Sequence, residues 1–301
     1  MHRLVLSLDA LRLVLRLDRP ESPRTTEALL RALPMPVDLH AARIAGRHLL
    51  WHAPFLVPLE AASEVSALPP GTFLYWPERQ FLELLYGPLQ AERAPVTVLG
   101  RVEGPVEPVA ELGDRIRREQ GRRPFRGRLE RLDGPAPPPA TEPAETSGPL
   151  AALAAARETL WAAPPAALEA LVARRGLILP AGPLLLAEAE ARKLQEALWK
   201  LLAEAASDPY FAARAATLLL DQAERRLCDL YGLVGCTEPL ALGRRALALS
   251  PARAAAILEE LVLVAGRLAG WLDERIPWQA INDVVVEAAE TWAARTGREP
   301  C

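Results

Sequence analysis

Between residues 133 and 149 the chain carries six prolines and no large apolar side chain. Such a stretch has nothing to bury against a core, and its prolines keep it semi-extended. The fold is therefore built as two blocks, one on each side. Before the stretch, apolar residues recur with period two; after it, they recur at three and four residues. That contrast predicts an α+β chain with two domains. The domains are a closed antiparallel β-barrel domain over 1–133 and an all-α helical bundle domain over 150–301, joined by a Pro-rich linker over 134–149. A chain of 301 residues is long enough to bury two cores.

In the first block Leu4, Leu6 and Leu8, then Leu11, Leu13, Leu15 and Leu17, alternate with positions that include Arg12 and Arg16. Residues 3–18 thus predict two half-buried strands joined near Asp9-Ala10. A helix follows, capped by Ser22, with Pro23 in its first turn and Leu29, Leu30 and Leu33 facing inward. Residues 38–51 predict a hairpin turning at Ala45-Gly46. Residues 95–102 and 125–132 predict strands, and 107–120 a helix that ends at Gly121. Seven or eight short strands with two helices suit a closed barrel, which also removes exposed sheet edges.

The centre of this block is 71–87, a strand, a break at Pro77-Glu78-Arg79 and a second strand. Phe73 and Tyr75 share one face of the first strand, Leu74 and Trp76 the other. In the second, Leu82, Leu84 and Tyr86 oppose Phe81, Glu83 and Leu85. Glu83 has two readings. An exposed residue on an edge strand is the simpler expectation; a pocket carboxylate with a raised pKa is the functional one.

The run Pro70-Gly71-Thr72-Phe73-Leu74-Tyr75-Trp76-Pro77, followed by Leu84-Leu85-Tyr86-Gly87-Pro88, resembles a family of small prokaryotic proteins with a cyclophilin-like barrel. Val96-Thr97-Val98-Leu99-Gly100-Arg101-Val102 is similar to a second motif of that family. The resemblance covers about residues 1–133 and implies the barrel fold, but no settled activity. Glu78 and Arg79 stand where the family commonly has proline and glycine, and Glu83 where a small or thiol residue is common. The usual pocket is accordingly expected to be altered.

The candidate ligand-binding set is Glu83, Tyr75, Trp76, Phe81, Trp51, His48, Arg79, Arg43 and Arg101. It combines one carboxylate, aromatic walls and arginines able to pair with Glu83 or an anionic ligand. His48 and His52 would sit about 13 Å apart on a strand, too far to share an ion, and read as solvated rim residues; His40 could approach one of them. Eight arginines and two glutamates fall between 115 and 131. They read as a solvated face or a docking surface for the helical half, with phosphate contact as the alternative. Residues 1–134 hold 19 arginines against 17 acids, whereas the remainder is acidic, so neither half has a nucleic-acid binder's imbalance.

Helical periodicity is expected over 150–162, 165–175, 183–207, 209–231, 240–249, 251–275 and 278–296. Asp283, Glu287 and Glu290 share one helix face, and Asp221 and Glu224 another. No histidine follows His52, so no metal site is expected. Cys228, Cys236 and Cys301 form no CxxC pair and are expected to be reduced. The longest uncharged apolar run, 176–187, is too short to span a bilayer, and the N-terminus lacks a signal-peptide pattern. A cytoplasmic protein without a cofactor is expected. The leading functional expectation is a non-catalytic binding protein. Its barrel holds a small molecule or peptide segment, and its helical bundle mediates self-association or contact with a partner protein. Peptidyl-prolyl isomerase-like activity and Arg-mediated nucleic-acid binding are the alternatives.

Overall fold

The computed structural model describes residues 2–43, 46–89, 93–133, 148–174 and 181–296. Strands β1 (His2–Leu8), β2 (Leu11–Leu17), β3 (Met35–Asp38), β4 (His40–Ala41) and β5 (Gly46–His52) are followed by β6 (Ala62–Glu64), β7 (Thr72–Trp76), β8 (Phe81–Leu89), β9 (Pro95–Val102) and β10 (Arg126–Arg131). They form one antiparallel sheet in the order β3-β10-β1-β2-β9-β7-β8-β5-β4, with β6 on β9. The two ends of this order, β3 and β4, are separated in sequence by Leu39 alone. The segment therefore pairs with β10 through its first half and with β5 through its second, and the sheet rolls into a nearly closed barrel.

The leucine alternation of β1 and β2 folds as expected, with Leu4, Leu6 and Leu15 wholly buried among Trp51, Phe73 and Tyr75. Helices α1 (Pro23–Ala32) and α2 (Glu107–Glu119) add Leu29, Val109, Leu112 and Ile116 to that core. Ser22 does not cap α1; its hydroxyl donates instead to the Val98 carbonyl of β9, at 2.9 Å. The expected turn residue Ala45, almost all of the Pro-rich stretch and Cys301 lie outside the described residues.

The second half is helical: α3 (Pro149–Ala162), α4 (Ala166–Val172), α5 (Gly182–Glu204), α6 (Pro209–Arg225), α7 (Glu238–Leu249), α8 (Ala254–Asp273) and α9 (Trp278–Thr296). A π-turn over Arg226–Leu230 prolongs α6. Asp208 caps α6 by accepting from the Phe211 amide, as an Asp-Pro start should. Helix α8 is buried almost all round, so it is the centre of the bundle rather than an amphipathic surface helix. None of the side chains of α9 is fully buried. Cys228 and Cys236 are free thiols. Among the described residues no helix is long and apolar enough to cross a membrane.

The halves meet closely. Gly266 and Gly270, one turn apart on α8, let the helix backbone approach the barrel. A Cβ on Gly270 would stand 2.8 Å from the His52 ring, and one on Gly266 2.5 Å from Gln80 Oε1. Around this approach, Arg267 pairs with Asp38 at 2.6 Å and His40 Nδ1 meets Asp273 Oδ2 at 2.8 Å. The expected docking surface over 115–131 contributes Gln120, which donates to Asp273, Gly121, which packs against Pro277, and Arg126, which pairs with Glu274 and lies over Trp271. Its other arginines largely pair within the barrel, as Arg115 does with Asp9 and Arg128 with Glu130. Further contact comes from β3, β4, β5 and the β7–β8 turn, through Asp38, His40, His52 and Gln80.

Candidate functional site

The site follows from the parity of three neighbouring strands. On β5, Leu49 and Trp51 face the barrel interior, so His48, Leu50 and His52 face out. On β8, Leu82 and Leu84 face in and Phe81, Glu83 and Leu85 face out; on β7 the outward residues are Leu74 and Trp76. The register places Glu83 opposite Leu50 on one side and Leu74 on the other. An outward carboxylate flanked by two leucines would be harmless in water. Here α5, α8 and the start of α9 cover it, and its exposure is 0%. The edge-strand reading is thus overturned: β8 is a central strand, roofed by helices more than a hundred residues away in sequence.

Between this outer sheet face and the helices lies a cavity of about 200 Å³. Its floor is His48, Leu50, Trp76, Phe81 and Glu83. Arg43 and Arg79 line its sides, and Arg192 of α5, Asp273 at the end of α8 and Trp278 at the start of α9 complete it. Of the candidate set, Glu83, His48, Trp76, Phe81, Arg79 and Arg43 are therefore brought together. Trp51 and Tyr75 are not: both point inward, Trp51 stacking on Phe73 at 5.8 Å and Tyr75 donating to the Phe55 carbonyl at 3.4 Å. Arg101 is also elsewhere, on the surface beside Asp18 at 3.2 Å. The barrel interior itself is filled by these side chains, so the cavity lies outside it.

The arginines are held by acids of the helical half. Arg43 makes a bidentate pair with Glu188, at 2.7 and 2.8 Å, and its guanidinium lies 4.8 Å from the centre of the Trp278 ring. Arg192 reaches Glu188, Gln195 and His52 Nε2, each at 3.2 Å, and stacks 4.9 Å over Phe81. Arg79 is tethered to Glu196 at 3.0 Å and leans over Trp76. Such pairs fix the planar cations before anything binds, which removes part of the ordering cost of binding. Burial lowers the pKa of Arg192, partly countered by Glu188. Burial alone would raise Asp273, but the hydrogen bond and charge of His40, with Arg43 and Arg192, hold it well below the usual carboxylate range.

Glu83 is different. Among the described residues neither of its oxygens accepts a hydrogen bond, and His48 Nδ1 stands 3.3 Å from Oε2. His48 and His52 are both buried, at 2% and 4% exposure, so the rim reading of the histidines is overturned as well. Burial, then Arg192, drives His52 far below the usual histidine pKa; as a neutral ring it can accept from Arg192. A buried carboxylate is costly unless a partner completes it. This one faces a cavity, where an ammonium or another donor would complete it. Among the described residues no group of three potential metal ligands comes together.

Arg192, Asp273 and Trp278 escaped the sequence reading. Glu188 and Arg192, four apart on a helix, have the spacing of an ordinary surface pair. The signal that could have found them is Gly266-x-x-x-Gly270 in a helix apolar all round, which marks a close approach by another element.

Fold and site together define a cyclophilin-like β-barrel whose outer face is roofed by helices to form a polar cavity. The sequence model of a cyclophilin-like family matches residues 19–119, the stretch that carries the Tyr-Trp-Pro segment and Glu83. Among solved structures, McbB in complex with tryptophan superposes with a TM-score of 0.78 at 20% identity, over 93% of this chain and 99% of that one. The likeness extends through the helices, so the barrel and its helical roof recur together as one fold. The hypothetical protein AF2241 from Archaeoglobus fulgidus matches 44% of this chain and 95% of its own, at 19% identity and a TM-score of 0.33. No curated protein matches the sequence.

Proposed function

We propose that barrel and helical region act as one ligand-binding unit, and that the cavity between them takes a small aromatic amino acid or a close analogue. The observation that carries this reading is Glu83, buried, facing the cavity and accepting no hydrogen bond among the described residues, with His48 Nδ1 3.3 Å away. An ammonium group would complete it. Arg43, Arg79 and Arg192 offer three cations for a carboxylate, and Trp76, Phe81 and Trp278 offer faces for a ring. The volume is below the roughly 300–1,000 Å³ of sites for drug-sized ligands, which favours a molecule of amino-acid size. The tryptophan bound to McbB has this chemistry.

Titration calorimetry with L-tryptophan, indole-3-propionate and tryptamine tests the reading. Tryptophan should bind more tightly than either truncated analogue. Glu83→Gln should erase the advantage over indole-3-propionate, and Arg43→Ala the advantage over tryptamine, while Arg101→Ala changes nothing. Equal affinity for all three, or binding untouched by both cavity variants, would exclude it.

A second reading rests on the contact between Glu83 and His48. A carboxylate shielded from water beside an imidazole can take a proton from a bound ligand and return it. Exchange of the ligand's carbon-bound hydrogens in D2O, read by NMR and lost in Glu83→Gln, would support this reading. Unchanged proton signals over days would leave binding as the site's role.

A further inference from the structure

Trp76 lines a second hollow besides the cavity. This one is larger, about 870 Å³, and opens where Leu59 and the β7–β8 turn meet α5 and α8. Its size lies within the range of small-molecule sites, and a seam between two packed regions is where such sites form. The α5 wall is the helix face made by Trp199, Leu202 and Ala203, spaced three and four apart, which continues past the part of α5 that the barrel covers. Pro77 and Leu59 supply the barrel wall.

Charge separates the hollow from the cavity. Lys200 Nζ lies 3.8 Å from Glu78 Oε1, so that pair is self-compensating. Glu204 and Glu259 also line the hollow, and neither has a cationic partner among the described residues. Glu259 is exposed at the rim, and its partial desolvation by the neighbouring wall, with Glu260 nearby, raises its pKa. Two indoles, aliphatic walls and two uncompensated carboxylates are complementary to one kind of ligand. A hydrophobic cation gains from the ring faces, from the carboxylates and from burial of its apolar body. An anion of the same shape gains only the last.

We propose that this hollow is a second ligand site, selective for a hydrophobic organic amine in its ammonium form. It shares Trp76 with the arginine-walled cavity but has no arginine in its lining, whereas the cavity sets Glu83 against three arginines and suits a zwitterion.

The test titrates phenethylamine and 3-phenylpropionate, similar in shape and opposite in charge, into the full chain. Phenethylamine should bind about ten-fold more tightly. Replacing both rim acids, Glu204→Gln with Glu259→Gln, should abolish that preference, and Trp199→Leu should weaken amine binding about ten-fold. The rim variants are exposed enough to fold should Trp199→Leu fail to. Glu83→Gln in the cavity should leave amine binding at the hollow unchanged. Equal binding of amine and acid would overturn the proposal. So would amine binding that disappears in Glu83→Gln but survives the rim double variant, since the amine would then occupy the cavity. A third overturning result is sedimentation showing that the Trp199 face closes against a second copy, with amines unable to compete.

Discussion

The two faces of the β5–β8–β7 sheet are both buried, and they are buried in opposite ways. Inward, Trp51, Phe73, Tyr75, Leu82 and Leu84 pack as a dry core with 1% exposure or less. Outward, one residue away along the same strands, His48, His52 and Glu83 are nearly as inaccessible but are polar. The inner face is stabilised by close packing, where a missing side chain leaves a void. The outer face holds groups whose desolvation is only partly offset, which is a poor way to stabilise a fold and a good way to bind something.

The sharpest break of this comparison is a pair of substitutions one position apart across the β7–β8 ladder. Phe73→Ala on the inner face should destabilise the protein by about 3–5 kcal/mol, the cost of a large buried side chain plus its cavity. Glu83→Met on the outer face should be within about 1 kcal/mol of the parent or more stable, because it removes an incompletely paired charge from a buried position. Urea unfolding measures both. Losses of similar size would mean that Glu83 is a structural ion pair, and the contrast between the faces would fail.

A smaller effect sharpens the outer face. His52 faces Arg192, His40, Arg267 and Asp273, and burial keeps its folded-state pKa far below the unfolded value near 6.5. Below pH 6.5 the unfolded chain binds a proton that the folded ring refuses, so this residue's contribution to stability declines as pH falls. The slope should approach, and not exceed, about 1.4 kcal/mol per pH unit from this one group. Asp273 acts in the same direction but at lower pH. Its depressed folded pKa gives stability that is present above the unfolded value near 3.9 and lost only as pH falls further. Denaturation curves between pH 4.5 and 7.5 should therefore lose their slope in His52→Gln. A persistent slope in that variant would assign the titration to another group.

Much of the barrel was legible because its information is local. The Leu4–Leu17 alternation, the break at Pro77-Glu78-Arg79 and the Tyr-Trp-Pro segment each specify their own strands, and the family likeness rests in part on the same residues. The helices were legible for the same reason, through their three- and four-residue periodicity and the Asp208-Pro209 start of α6, whereas Ser250-Pro251 opens a short 3-10 turn ahead of α8 and Ser250 provides no side-chain cap. The site was legible only in part. Parity already placed Trp51 opposite to His48 on one strand, but only the β7–β8 register, which pairs Tyr75 with Leu82, put Tyr75 on the face away from Glu83. No parity argument could show that the outer face was covered. That depends on α5 and α8 docking across a sequence separation of more than a hundred residues, and it is why Glu83 looked exposed.

The smallest expected effect concerns the join between the regions. From sequence alone, the charge difference between the halves suggested a screened surface attraction. The structure places Arg267–Asp38, His40–Asp273 and Arg43–Glu188 in its place, each with at least one carboxylate or ring almost fully buried. Salt screens exposed pairs over a Debye length of about 8–10 Å but reaches buried pairs poorly. Gly266 and Gly270 add close packing that salt does not weaken. Protease treatment at Glu142 or Glu145 should thus give a barrel fragment and a helical fragment that still elute together on gel filtration, at low salt and at 1 M alike. Their joint elution should end only in Gly270→Leu, where the added side chain meets the His52 ring. Dissociation of the nicked parent by salt would show that the exposed arginines of 115–131, rather than the buried network, hold the two regions together.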